Sequence, residues 1–190
     1  RKESSAASDV YQRPQIQLEL DKSRYEHTQG VMYTAAALAM RYGEDINKAM
    51  LAGLLHDCAK CIPAEEKLRM CEENHLQISD VERANPSLLH AKLGAFLAKT
   101  KYKIEDYDIL KAIESHTTGR PDMSLLEKII YIADYLEPGR TELPNMADVR
   151  SLVFRDIDEC LYRILKDSLV YLETKHLPID IMTELSLIHI

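Results

Sequence analysis

Six ionisable side chains fall in segments where ionisable groups are costly: His27, His56, Asp57, His90, His116 and Asp134. His56 and Asp57 close the run LAGLLHD, and Asp134 lies inside IIYIADYL, both apolar enough to be buried on most sides. Burying an unpaired carboxylate costs several kcal/mol or forces it to take up a proton, so Asp57 and Asp134 need partners, and a cation would serve. His27 precedes Val31 and Ala35 by one and two helical turns and shares their apolar face. His90 stands in LLHAKLGAF, where Gly94 is expected to leave room beside the ring, and His116 ends its segment ahead of Thr117, Thr118 and Gly119. The adjacent His56-Asp57 pair offers nitrogen and oxygen to one ion, and His27 and Asp134 can complete the set from other sides. Such a set, without thiolate, suits iron, manganese, cobalt, nickel or zinc and leaves positions open for water or phosphate.

These residues can meet only if separate helices bring them together. Ser23 with Glu26 has capping-box spacing, and an apolar face runs through Tyr25, Val31, Ala35, Leu38 and Ala39 to Gly43. Asp45 can cap a second helix, INKAMLAGLLHD. Pro63 opens a polar helix, Asn85-Pro86 opens one with Leu89, Leu93, Phe96 and Leu97 inward, and another covers about 105–115. Ser124 with Glu127 starts SLLEKIIYIADYLEPG, which Pro138 and Gly139 stop. A helical pattern from about 147 to 175, broken once, precedes Pro178 and a last short helix. Residues 1–14 show no periodicity and read as a poorly ordered lead-in to one domain over 15–190. No hairpin signal and no internal repeat intervenes, so the expected fold is a single all-α helical bundle with a central metal site.

Composition narrows the partners. The chain has 190 residues, 24 Lys+Arg against 31 Asp+Glu and a net charge of −7, which argues against binding nucleic acid by broad phosphate neutralisation. A local basic pocket for a small anion remains open. No apolar run is long enough to span a membrane, and the polar opening RKESSAASDV lacks the core of a secretory signal, so a cytoplasmic protein is expected. The pair Cys58-x-x-Cys61 has no second pair and no preceding strand, which sets aside a zinc or redox reading. His75, His176 and His189, in polar or terminal stretches, are given no role.

The order H…HD…D on separate helices resembles the HD-domain phosphohydrolases. The segments RYEHTQGV, LAGLLHDCAK, HAKLGA, AIESHTTG and KIIYIADYLEPGR resemble, in sequence order, those of the symmetrical bis(5'-nucleosyl)-tetraphosphatases, the diadenosine tetraphosphate hydrolases. The resemblance implies a metal, iron first, on His27, His56, Asp57 and Asp134, beside a nucleoside diphosphate site. It places His90, His116, Thr117, Tyr135 and Arg140 at the phosphates and Lys60 near the scissile bond. Asp57, Lys60, His90 and His116 are then the catalytic set, acting on a dinucleoside polyphosphate to release two nucleoside diphosphates. His90 and His116 could instead bind a second ion or orient other ligands. Lys60 could be a cation favoured at a helix C-terminus, and Arg140 a surface residue paired with Glu142. Another HD-type nucleotide hydrolase and a non-catalytic nucleotide sensor are the competing functions, and a homodimer is expected by base rate.

Overall fold

The structure is a computed structural model that describes residues 5–141, 143 and 145–190, with side chains from residue 12 onward. Among the described residues it contains α-helices, one 3-10 turn and no strand. The first helix, α1 (Ser5–Glu19), occupies much of the stretch read from sequence as a lead-in. Among its described side chains, Ile16 and the following Leu20 anchor it on the core.

Helix α2 (Lys22–Tyr42) starts two residues earlier than expected. The Asp21 carboxylate accepts from the Arg24 N–H at 2.8 Å, so Asp21 is the cap and Ser23 already lies in the first turn. Gly43, at φ 77°, closes the helix in the left-handed conformation that glycine adopts without strain. Asp45 caps α3 (Ile46–Leu55), as its sequence suggests. The polar α4 (Ala64–Glu73) follows Pro63, and the short α5 (Asp80–Ala84) opens on an unforeseen capping box of Ser79 and Glu82. The turn at Pro86–Leu89 runs into α6 (His90–Thr100). Asp106 caps α7 (Tyr107–Ser115), and the capping box of Ser124 and Glu127 opens α8 (Leu125–Leu136). The later pattern divides into α9 (Met146–Leu152) and α10 (Ile157–Thr174) where Asp156 caps a new start, and α11 (Ile181–Ile188) follows Asp180.

The core sits around α8, whose Leu126, Ile129, Ile130, Ile132 and Ala133 are buried. Helix α2 packs on α3 and α8, and α7 packs on α3, α6 and α8. The α2–α3 contact is set by Gly53, where a Cβ would stand 2.9 Å from the Met32 Cα. That close approach brings together His27 on α2 and His56 after α3, with ring centroids 5.5 Å apart. No described helix is long and apolar enough to cross a membrane.

Candidate metal centre

Three of the four inward histidines are held by the same local device. His56 Nδ1 lies 2.7 Å from the Gly53 carbonyl, His90 Nδ1 2.6 Å from Ser87 O and His116 Nδ1 2.7 Å from Ile113 O. Each ring folds back onto the carbonyl three residues earlier at a helix end or helical turn. His27 Nδ1 lies 3.0 Å from Glu137 Oε1 instead. Carbonyls and ionised carboxylates only accept, so every Nδ1 carries a proton and, in a neutral ring, Nε2 presents a lone pair.

Those lone pairs converge on carboxylates. His27 Nε2 is 2.9 Å from Asp134 Oδ1 and 3.9 Å from Asp57 Oδ2. His56 Nε2 is 3.5 Å from Asp57 Oδ2 and 3.8 Å from Asp134 Oδ1. Lone pair facing lone pair is repulsive, and His27 Nε2, His56 Nε2 and Asp57 Oδ1 are buried without a hydrogen-bond partner. The short His27–Asp134 approach therefore lacks hydrogen-bond geometry. Donors each about 2.1 Å from one ion stand about 3–4 Å from one another, the spacing seen here. The residues fit a divalent cation, and a metal is the group that would satisfy their unpaired atoms.

The other Asp57 oxygen faces a second group. Asp57 Oδ1 is 3.3 Å from His90 Nε2 and 3.7 Å from His116 Nε2, and the two nitrogens are 3.1 Å apart. Lys60 Nζ and Thr117 Oγ1 each lie 3.2 Å from His90 Nε2. Burial, with His116 and Lys60 beside it, pushes the His90 pKa down to about 3. Burial acts in the opposite sense on Asp57, but His56 and His116, when protonated, would outweigh it and hold its carboxyl well below the usual range. Asp134 would likewise be lowered against its burial by protonated His27 and His56, together with Arg140.

Beside these groups opens a cleft of about 180 Å³ lined by Lys60, His90, His116, Thr117, Tyr135 and Arg140, among others. The structure thus brings every residue singled out from sequence either into the polar cluster or onto this cleft. Arg140 is not a free surface residue, because it donates to the Asp134 backbone carbonyl at 2.8 Å and to Asp134 Oδ1 at 2.6 Å. Glu142, its alternative partner, lies outside the described residues. Gly94 does not make room for the His90 ring: a Cβ there would meet His56 O and Ile113 Cγ2 at 3.4 Å, so it permits α6 to approach α3 and α7. Cys58 is buried while Cys61 is exposed and 3.5 Å from Asp21 Oδ2, so the pair forms no site.

Two residues escaped the sequence reading. Arg24 donates to Asp57 Oδ2 at 2.7 Å, and Glu137 is buried behind His27 with Oε2 accepting from Gly139 N–H at 2.6 Å. Both lie three positions from a recognised residue, Arg24 before His27 and Glu137 after Asp134, and that same-face spacing was the available signal.

The HD domain family matches residues 24–139, which include all six inward histidines and aspartates. A symmetrical bis(5'-nucleosyl)-tetraphosphatase of Bacillus subtilis (strain 168) is 42% identical over 164 residues, covering 86% of this chain and 87% of that protein. One from Halalkalibacterium halodurans is 43% identical over 84% of each chain. The crystal structure of a predicted HD superfamily hydrolase involved in NAD metabolism, from Clostridium acetobutylicum, superposes with a TM-score of 0.90 at 40% identity, covering 98% of this chain and 96% of the other. A shared fold and sequence across nearly the whole length place this chain in the HD-domain family, in the group of the symmetrical bis(5'-nucleosyl)-tetraphosphatases.

Proposed function

We propose that this chain hydrolyses diadenosine tetraphosphate and related dinucleoside polyphosphates at the central anhydride, releasing two nucleoside diphosphates. The supporting observation is the convergence of buried Nε2 and carboxylate atoms, those of His27, His56 and Asp57 without hydrogen-bond partners, beside a cleft rich in hydrogen-bond donors. His27, His56, Asp57 and Asp134 would hold the metal, with iron proposed ahead of manganese, cobalt, nickel or zinc. When bound, such an ion polarises a phosphoryl oxygen and makes water a stronger nucleophile near neutral pH. Atom balance is simple. Water oxygen bonds to one inner phosphorus, the bridging P–O bond breaks, and the departing nucleoside diphosphate takes the proton.

The chain's own groups have defined tasks in this reaction. Lys60, Thr117 and Arg140 supply donors around the phosphates, and fixed donors aimed at developing charge lower the barrier without reorganising. Tyr135 walls the cleft. His90 and His116, with Nε2 atoms 3.1 Å apart, sit where a proton can be shared with the leaving group. A second reading is that these two rings and Asp57 Oδ1 hold a second ion, which their mutual spacing also suits. Metal analysis of protein purified without oxygen separates one ion from two. Incubation of that protein with a panel of nucleotides tests the function: no release of nucleoside diphosphate from diadenosine tetraphosphate removes the proposal in favour of another nucleotide hydrolase. Tight binding without turnover across the candidate metals would favour a sensor.

A further inference from the structure

Away from the metal cluster, one buried carboxylate holds the segment that carries two of the cleft residues. Glu127, at the start of α8, is 1% exposed. Its Oε1 and Oε2 each accept from the Arg120 guanidinium at 2.6 Å, a two-pronged pair. Oε1 also lies 3.0 Å from the Ser115 hydroxyl, whose single proton has a second acceptor in the Lys111 carbonyl at 2.9 Å; the charged oxygen is the stronger acceptor. Ser115 and Arg120 bracket His116 and Thr117, so both ends of the stretch 115–120 are tied to one anchor. We infer that Glu127 is a positioning residue, acting through Ser115 and Arg120 to set His116 and Thr117 against the substrate phosphates, an assignment that rests on the hydrolase reading above.

The capping box of α8 does not by itself require this arrangement. The box uses Oε2, which accepts from the Ser124 N–H at 2.8 Å, whereas Oε1 is turned wholly to Ser115 and Arg120. The anchor also stands on the helix that carries Asp134, seven residues on and so on the same face, about 10 Å along the axis. One rigid helix thereby sets the spacing between a proposed metal ligand and the segment that would hold phosphate. That segment lies between α7 and α8, outside either helix, and needs fixing from elsewhere. It behaves as one unit, because Gly119, at φ 69°, donates its N–H to Ser115 O at 2.8 Å and a Cβ there would stand 2.4 Å from Ser186 Oγ on α11. Tying the two ends of such a turn orients the residues between them. The tolerance is small, since His116 Nε2 and Thr117 Oγ1 lie 3.1 and 3.2 Å from the same atom, His90 Nε2.

The test compares metal-loaded parent, Ser115→Ala and Arg120→Met, which release the near and far ends of the stretch and leave the Ser124 capping box in place. At a temperature where melts show each variant fully folded, kcat for diadenosine tetraphosphate should fall about ten- to hundredfold, the scale expected when reacting groups are misplaced by about 1 Å. KM should change less, because Lys60 and Arg140 still attract the phosphates, and metal content should match the parent. Hydrogen exchange read by mass spectrometry should quicken over 116–120 and stay parent-like along α8. A carboxylate that only stabilises the fold predicts parent-like kcat under these conditions, so a kcat within twofold of the parent in both variants overturns the positioning role. If the parent cleaves diadenosine tetraphosphate while that holds, the hydrolase assignment survives and the positioning assignment falls. If the parent fails to cleave it, the hydrolase assignment falls and exchange decides the other: quickened exchange confined to 116–120 keeps Glu127 as the anchor of that stretch, and unchanged exchange in both variants removes it.

Discussion

Replacing Glu137 by Gln should weaken metal binding about ten- to hundredfold while leaving the fold intact. In the parent, Glu137 is 2% exposed and bonds twice, Oε1 to His27 Nδ1 at 3.0 Å and Oε2 to Gly139 N–H at 2.6 Å. Gln has one acceptor oxygen. If that oxygen keeps His27, the amide nitrogen opposes the Gly139 N–H. If it keeps Gly139, the amide hydrogens face His27 Nδ1 and favour the tautomer whose proton sits on Nε2, where the metal should bind. Either way one charge-assisted bond is lost, worth about 1.5–3 kcal/mol. A hundredfold loss of affinity corresponds to about 2.7 kcal/mol, so the two estimates agree. There is little room to relax, since even a Cβ at Gly30 would overlap Glu137 Oε2. Competition against a chromophoric chelator reads the affinity, and circular dichroism melts check the fold. A Gln variant that melts like the parent and binds metal within twofold of it would show that Glu137 does not position His27.

Asp57→Ala should abolish turnover and lower metal content, since it removes two oxygens, one facing each histidine pair; unchanged stoichiometry by elemental analysis would take Asp57 out of the ligand set. Arg140→Ala should raise KM for diadenosine tetraphosphate with metal retained, and an unaltered KM would return Arg140 to a purely structural role at Asp134. Gly53→Ala should cost about 1–3 kcal/mol in urea unfolding, because its new Cβ meets the Met32 backbone at 2.9 Å, and it should also reduce activity by separating α2 from α3. Burial raises the Glu127 pKa, but the two 2.6 Å bonds from Arg120 outweigh it, so the folded value lies below the ordinary 4.5. That pair therefore contributes stability above about pH 4.5 that is lost as pH falls through the folded pKa. Arg120→Met should cost about 3 kcal/mol at pH 7, the low end for a buried pair because Arg120 keeps solvent access, with the difference shrinking toward pH 3 in denaturant titrations.

How much of this was legible without coordinates follows from the range of each interaction. Asp45, the Ser124–Glu127 box and Gly43 act within a few residues, so their types and spacing specified helix starts and stops directly. The fold class and the six costly ionisable groups followed from patterning for the same reason: apolar periodicity and the expense of burying charge are properties of the chain itself. Arg24 and Glu137 were passed over because a charged residue near a helix end is ordinarily solvated. Only packing across 33 and 110 residues of chain turns them onto Asp57 and His27.

The orientation of the His27 ring, set by Glu137 from 110 residues away, also belonged to the tertiary structure, as did which carboxylate oxygen each Nε2 faces, since these depend on how the helices pack. Gly94 illustrates the limit: its smallness was evident, but whether it served the His90 ring or the approach of α3 and α7 was decided by where those helices lie. The sequence by itself thus determined which groups had to find partners, because burial imposes that cost wherever they end up. The three-dimensional arrangement alone decided which partners they found, because hydrogen bonds and metal ligation require atoms to meet within a few ångströms across helices far apart in the chain.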